Sequence, residues 1–167
     1  MAPWQEVIGF FENNAIADAM RENDLLFPLV ESVHVLAITL VVGSIAVVDL
    51  RLLGFASAHR PVGRVTNAVL PITWIAFVIA VIAGGLLFIA HASKYLANGF
   101  FVAKMALIAA AGANMILFHI ITAKNMQRWD KDMIPAIAAR LAGGTSLLLW
   151  AAVVACGRWI GFTMPVD

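Results

Sequence analysis

Charge is scarce in this chain. Only 13% of its 167 residues are Asp, Glu, Lys or Arg, where a soluble domain carries about a quarter. The net charge is +1, with no basic run and no recognition motif, which excludes a nucleic-acid footprint. Cysteine is nearly absent: Cys156 stands alone, so no intrachain disulfide can form. There is no CxxCH for covalent haem attachment. No phosphate-binding glycine loop, HExxH or GxSxG occurs, so nucleotide, zinc-protease and serine-hydrolase chemistry have no sequence signal. The N-terminus, MAPWQEVIGF, lacks the basic region and leading apolar core of a secretory signal.

Apolar sequence is abundant instead. Hydrophobic residues make up 62% of the chain and the mean hydropathy is +0.92. Crossing a bilayer as a helix takes roughly 20 apolar residues. Four segments qualify, at about 25–53, 68–91, 100–122 and 143–164. Short connections between them predict an all-α, up-down-up-down four-helix bundle in the membrane, a single domain over 1–167. Residues 1–24 form a separate interfacial segment. Within it Trp4, Val7, Ile8 and Phe11 recur at helical spacing among Glu6, Glu12, Asn13 and Asn14, predicting an amphipathic helix over 3–20 that lies in the interface. Pro28 falls in the first turn of the first span, where a missing N–H is tolerated.

Lys and Arg are asymmetric. The loops after the first and third spans, with the adjoining helix ends, hold seven positives, Arg51, Arg60, Arg64, Lys124, Arg128, Lys131 and Arg140, against three acids. The opposite side holds four positives against seven acids. The positive-inside rule then puts both termini outside, which is the periplasm if the membrane is a bacterial inner membrane.

Ionisable groups inside hydrocarbon are read as functional by default. At a rise of 1.5 Å per residue, His34 lies roughly 12 Å below the outer boundary, Lys104 roughly 9 Å, Arg158 roughly 8 Å and His91 roughly 5 Å. Glu31 is one turn above His34 on the same face and is placed to orient the imidazole or to pair with Lys104 or Arg158. Haem b held by two imidazoles needs neutral histidines on facing helices, a flat slot and cations for its propionates. His34 and His91 suit the ligands, and Lys104 and Arg158 the propionates. His119, near the inner boundary, with His59 in the inner loop, would make a second site. Each residue also has a plain role: an imidazole bonded to a carbonyl across helices, or a cation that snorkels to the interface. Copper would use the same histidines, yet no MxxM or HxxM cluster supplies thioether ligands. Gly43, Ser44, Gly84, Gly85, Ala109–Ala113, Gly143 and Gly144 permit close helix approach or a flat ligand.

The first span reads VESVHVLAITLVVGSIAVVDLRLLG and the third NGFFVAKMALIAAAGANMILFH. The pattern His…Gly-Ser…Asp-Leu-Arg-Leu-Leu-Gly, then Asn-x-x-Phe-x-x-Lys…Asn-x-x-x-Phe-His, resembles a family of small, uncharacterised bacterial four-span membrane proteins. More distantly it is similar to the haem-binding protoporphyrinogen oxidase of the HemJ type and to the CopD copper-resistance membrane domain. The distant resemblance implies roles for His34, Arg51 and Lys104. The chain departs from the HemJ-type pattern at the end of the first span, where Asp49-Leu50-Arg51 replaces a Pro-Arg pair, and lacks the Asn-Glu-x-Pro element before the last span.

Three functions therefore stand as expectations. The first is a small b-type cytochrome-like protein moving electrons in the membrane. The second is a non-catalytic accessory subunit of a larger membrane complex, or a homo-oligomer, held by its apolar faces. The third is a copper or porphyrin handling protein.

Overall fold

In the computed structural model, residues 3–55, 59–122 and 136–164 are described below. Two short helices, α1 (Pro3–Glu12) and α2 (Ala15–Glu22), precede α3 (Leu26–Leu53) and α4 (Val62–Ala90). A short α5 (Ala92–Ala97) leads into α6 (Gly99–Leu117), which ends in a π-helical turn, Phe118–Thr122; α7 (Ile137–Thr163) completes the order. The described residues hold helices and turns and no strand. Four of the helices are long and apolar enough to cross a membrane, and their outward faces carry Leu29, Leu36, Ile75, Ile82 and Leu148, each at least 60% exposed. Apolar surface on that scale belongs in lipid. The chain is a multi-pass membrane protein built as a helical bundle.

The interior stripes are read by size more than by polarity. On α4 the buried residues are Val62, Val65, Ala76, Ala80, Ala83, Leu87 and Ala90, and from Ala76 onward their spacing of four and three keeps one seam toward a neighbour. Most are alanine, which lets backbones approach where lipid supplies no hydrophobic drive for association. Helix α3 presents Ala37 and Val41, both buried, with His34 on the same seam. Thr73 Oγ1 donates to Ser44 Oγ at 2.7 Å and ties the pair near mid-depth. Helix α7 packs on α3 through Ala139, Gly143 and Val153, all buried. At Gly143 an added Cβ would lie 3.0 Å from Leu52 Cβ and 3.1 Å from the Asp49 carbonyl oxygen. Helix α6 packs chiefly on α7, and buries only Ala111. Asn114 Nδ2 of α6 donates to Ala142 O of α7 at 3.0 Å.

Close packing therefore runs α4–α3–α7–α6, while α4 and α6 make no extensive close approach. Their bridge is aromatic and lies at the end nearest the N-terminus: Phe88 stacks on Phe101 with centroids 5.6 Å apart, and Tyr95 meets Phe101 at 5.2 Å.

Both α4 and α7 begin six residues before the hydropathy runs that signal them. Their first turns are mixed in polarity, yet Val62, Val65 and Ala139 are buried, so packing extends the helix where hydropathy alone falls off. The single amphipathic helix expected over 3–20 is instead two helices. Asn14 breaks it: its Oδ1 accepts from the Ile16 and Ala17 N–H groups, each at 3.0 Å, a side-chain N-cap. Helix α2 then turns Ala17 and Met20 inward, both buried, and Met20 joins Leu87 and Ala90 beneath it. Phe11 of α1 meets Phe88 edge-on at 6.0 Å. The side chains of Trp4 and Val7 lie outside the described residues. Arg21 clamps this hairpin to the bundle, donating to Ala90 O at 3.0 Å and Glu12 O at 2.8 Å. Glu12 in turn accepts from Ser93 N and Oγ, at 2.7 and 2.8 Å, meeting the free amides of the first turn of α5. The hairpin is thus a cap on one end of the bundle.

Candidate functional site

His34 is held by two features of α4. Its Nδ1 lies 2.9 Å from Ala80 O, and its ring rests in the notch left by Gly84, where an added Cβ would stand 2.7 Å from His34 Cε1. A carbonyl oxygen only accepts, so Nδ1 carries the proton. The neutral imidazole then keeps its lone pair on Nε2. Such a backbone bond is the arrangement that fixes tautomer and ring orientation in metal-ligating histidines. It equally satisfies a polar group that hydrocarbon would otherwise leave unbonded.

Lys104 reaches the interior from α6. Its Nζ lies 3.7 Å from the position of an added Cβ on Gly157 of α7, and the side chain is half-buried. Lys104 lies within electrostatic range of His34 and Cys156. His34 on α3 and Lys104 on α6 therefore face a common interior, between the notches at Gly84 and Gly157. Among the described residues Lys104 forms no ion pair.

The other expected members are placed elsewhere. Glu31 is exposed, with Tyr95 rather than Lys104 in its electrostatic range. Burial, with the Glu31 charge adding to it, holds the Tyr95 phenol above its ordinary value. Arg158 is exposed and lies over the Phe162 ring at 4.6 Å. Adjacent residues of a helix do not share a face, so with Gly157 toward Lys104, Arg158 points away from it. His91 sits at the junction of α4 and α5, half-buried, its ring 5.9 Å from that of Phe27. Burial first, then Lys94 and Arg21, hold its pKa below the ordinary histidine value, with Glu12 opposing. His91 follows the Gly84 notch by seven residues, or roughly 10 Å along the helix. His34 and His91 are therefore held at different heights along α4. His119 is exposed in the π-helical turn and bonds Met115 O through Nδ1 at 2.8 Å. His59 is exposed beside residues 56–58, which are not described. The loop carrying Lys124, Arg128 and Lys131 also lies outside the described residues. Among those described, no group of three or more His, Cys, Asp or Glu side chains gathers as a site for a bare metal ion.

Two partners of the site escaped the sequence reading. Gly84 stood only as one of several small residues, and the Ala80 carbonyl has no side-chain signature. A glycine pair one span away from a buried histidine was the available signal.

No curated protein and no solved structure matches the chain. A sequence profile does: that of DUF6644, a family of unknown function, matches residues 23–163, a stretch that takes in His34, Gly84, Lys104 and every span. The chain belongs to that family.

Proposed function

We propose that the chain is a small haem b-binding protein of the electron-transferring, cytochrome-like class, with His34 as its single protein ligand to iron. The observation that carries this is the Nδ1–Ala80 bond over Gly84: it leaves Nε2 as the free donor and holds the ring against rotation. Haem when bound supplies one-electron chemistry, its potential set by axial ligand, burial and nearby charge. The residues present fit that group on a single-histidine basis. His34 offers Nε2, Lys104 offers a cation for a propionate, and the loose α4–α6 side leaves a flank that close packing does not close. Held by His34 alone, the group would also be able to take a small ligand. The distant similarity to the HemJ-type oxidase and to CopD domains agrees with a porphyrin or metal role. Copper is the weaker of the two, because a bare ion needs several converging ligands and the described residues do not gather them.

Lys104 provides the test. A charged Lys within a span costs about 2.5–3.5 kcal/mol on insertion scales if nothing compensates it. Lys104→Met keeps the stem and removes the charge, so insertion and folding should be no worse. Haem titration into the purified protein should show at least a tenfold weaker affinity, about 1.4 kcal/mol. Equal affinity in Lys104→Met and wild type would remove the propionate role.

The membrane proposed is a bacterial inner membrane, with both termini outside. The warrant is the seven-to-four distribution of Lys and Arg with acids reversed. A cysteine placed at Arg60 should react with an impermeant thiol reagent only after the cells are opened; reaction in intact cells would invert the orientation. The rival function, an accessory subunit of a larger membrane complex, is favoured by one observation: α6 buries only Ala111, which leaves much of it for lipid or a partner.

A further inference from the structure

Asp49 is the one buried acid among the described residues. It is 5% exposed, lies on α3 one turn before its end, and has an Oδ2 buried without a hydrogen-bond partner. Helix α7 covers it: Gly143 packs against its carbonyl, and Ser146 lies beside the carboxyl. Among the described residues it forms no ion pair. Arg51, two residues on, is turned to the following loop, where its Nε donates to Arg60 O at 2.7 Å. At the same end, Arg64 of α4 and Arg140 of α7 are exposed, and His119 is bonded to its own helix.

A carboxylate enclosed in this way has a large desolvation cost in hydrocarbon. The neutral acid lowers that cost, since burying an uncharged polar group costs far less than burying a charge. We infer that Asp49 is a proton-binding site: the carboxyl takes up a proton on Oδ2 from water at the near end of the bundle and returns it there. The O–H bond forms as a hydronium gives up its proton, and the reverse step ionises the acid. The path is short, because Asp49 precedes the last helical residue, Leu53, by four positions, or roughly 6 Å. It does not depend on the haem reading. His34 is fifteen residues away on the same helix, roughly 22 Å.

Acid-minus-alkaline infrared difference spectra of the full chain in lipid vesicles test this. The expected result is a carboxylic C=O band that shifts in D2O, is lost reversibly at alkaline pH and is missing in Asp49→Asn. The exposed carboxyls contribute to both spectra, so the difference between them isolates Asp49. Should Asp49→Asn fail to fold, Asp49→Glu should keep a titrating band at a moved frequency, and Ser146→Ala should move the Asp49 band. The proposal is overturned if Asp49→Asn retains the band at wild-type strength. It is equally overturned by a band that never titrates, by one that Ser146→Ala leaves unmoved, or by one that sodium rather than pH removes.

Discussion

Gly84→Ala should dislodge His34 while Gly85→Ala, its neighbour, changes little. The added methyl at position 84 would stand 2.7 Å from His34 Cε1 and 3.2 Å from Nδ1, whereas at Gly85 nothing lies within 4 Å. The imidazole is the end of a side chain, so it swings aside more readily than the α3 and α4 backbones part. In doing so it gives up the bond to Ala80 O, a loss of about 0.5–1.5 kcal/mol, set against the better helix propensity of alanine, about 0.5–1 kcal/mol. Net stability should therefore move by less than about 1 kcal/mol, but the ring's position should be lost. Nitrogen NMR of labelled histidine reads this without any cofactor. The His34 signal of the wild-type protein should be that of a hydrogen-bonded Nδ1–H tautomer, kept in Gly85→Ala and averaged in Gly84→Ala, while the His119 signal, bonded to Met115 O, stays unchanged in both. An unchanged His34 signal in Gly84→Ala would mean that the notch does not hold the ring.

His34→Ala should abolish haem binding, and His91→Ala should leave it. The two histidines are equivalent to a reading of depth alone, being nitrogen bases in the outer part of adjacent spans. Packing separates them. His34 has its tautomer fixed by Ala80, whereas His91 terminates α4 with its own N–H bonded to Phe88 O at 3.2 Å and its ring near Phe27. Removing His91 should loosen the junction of α4 with α5 and lower stability by the loss of a half-buried side chain. Haem affinity should fall by more than a hundredfold in His34→Ala, about 2.8 kcal/mol, and by less than threefold in His91→Ala. Comparable losses in both variants would restore the two-imidazole site.

The class of fold was legible because the bilayer leaves helices or closed barrels as the spanning structures, and runs such as 25–53 are helix-length. Neighbour relations were not legible. In a helix apolar on every side, the interior seam is marked by residue size, as at Ala76, Ala80 and Ala83, and size does not say which helix faces it. That is why His34 could be placed in depth while its acceptor, a backbone carbonyl on α4, could not be named. Depth also misled for Arg158 and Glu31. Both lie at suitable heights, but helical phase turns Arg158 toward Phe162 and leaves Glu31 exposed. Asp49 was visible as a rare acid in a span. Its enclosure by Gly143 and Ser146 depends on the α3–α7 register, which is set across more than ninety residues of sequence.

The central claim is one haem on one histidine. The direct measurement is the visible spectrum of the protein purified from haem-replete cells, oxidised and then reduced, with and without carbon monoxide. Haem held by His34 alone should give a coloured protein with a five-coordinate, high-spin reduced spectrum that carbon monoxide shifts at once. A colourless protein that takes up no added haem, or a low-spin spectrum indifferent to carbon monoxide, would contradict it.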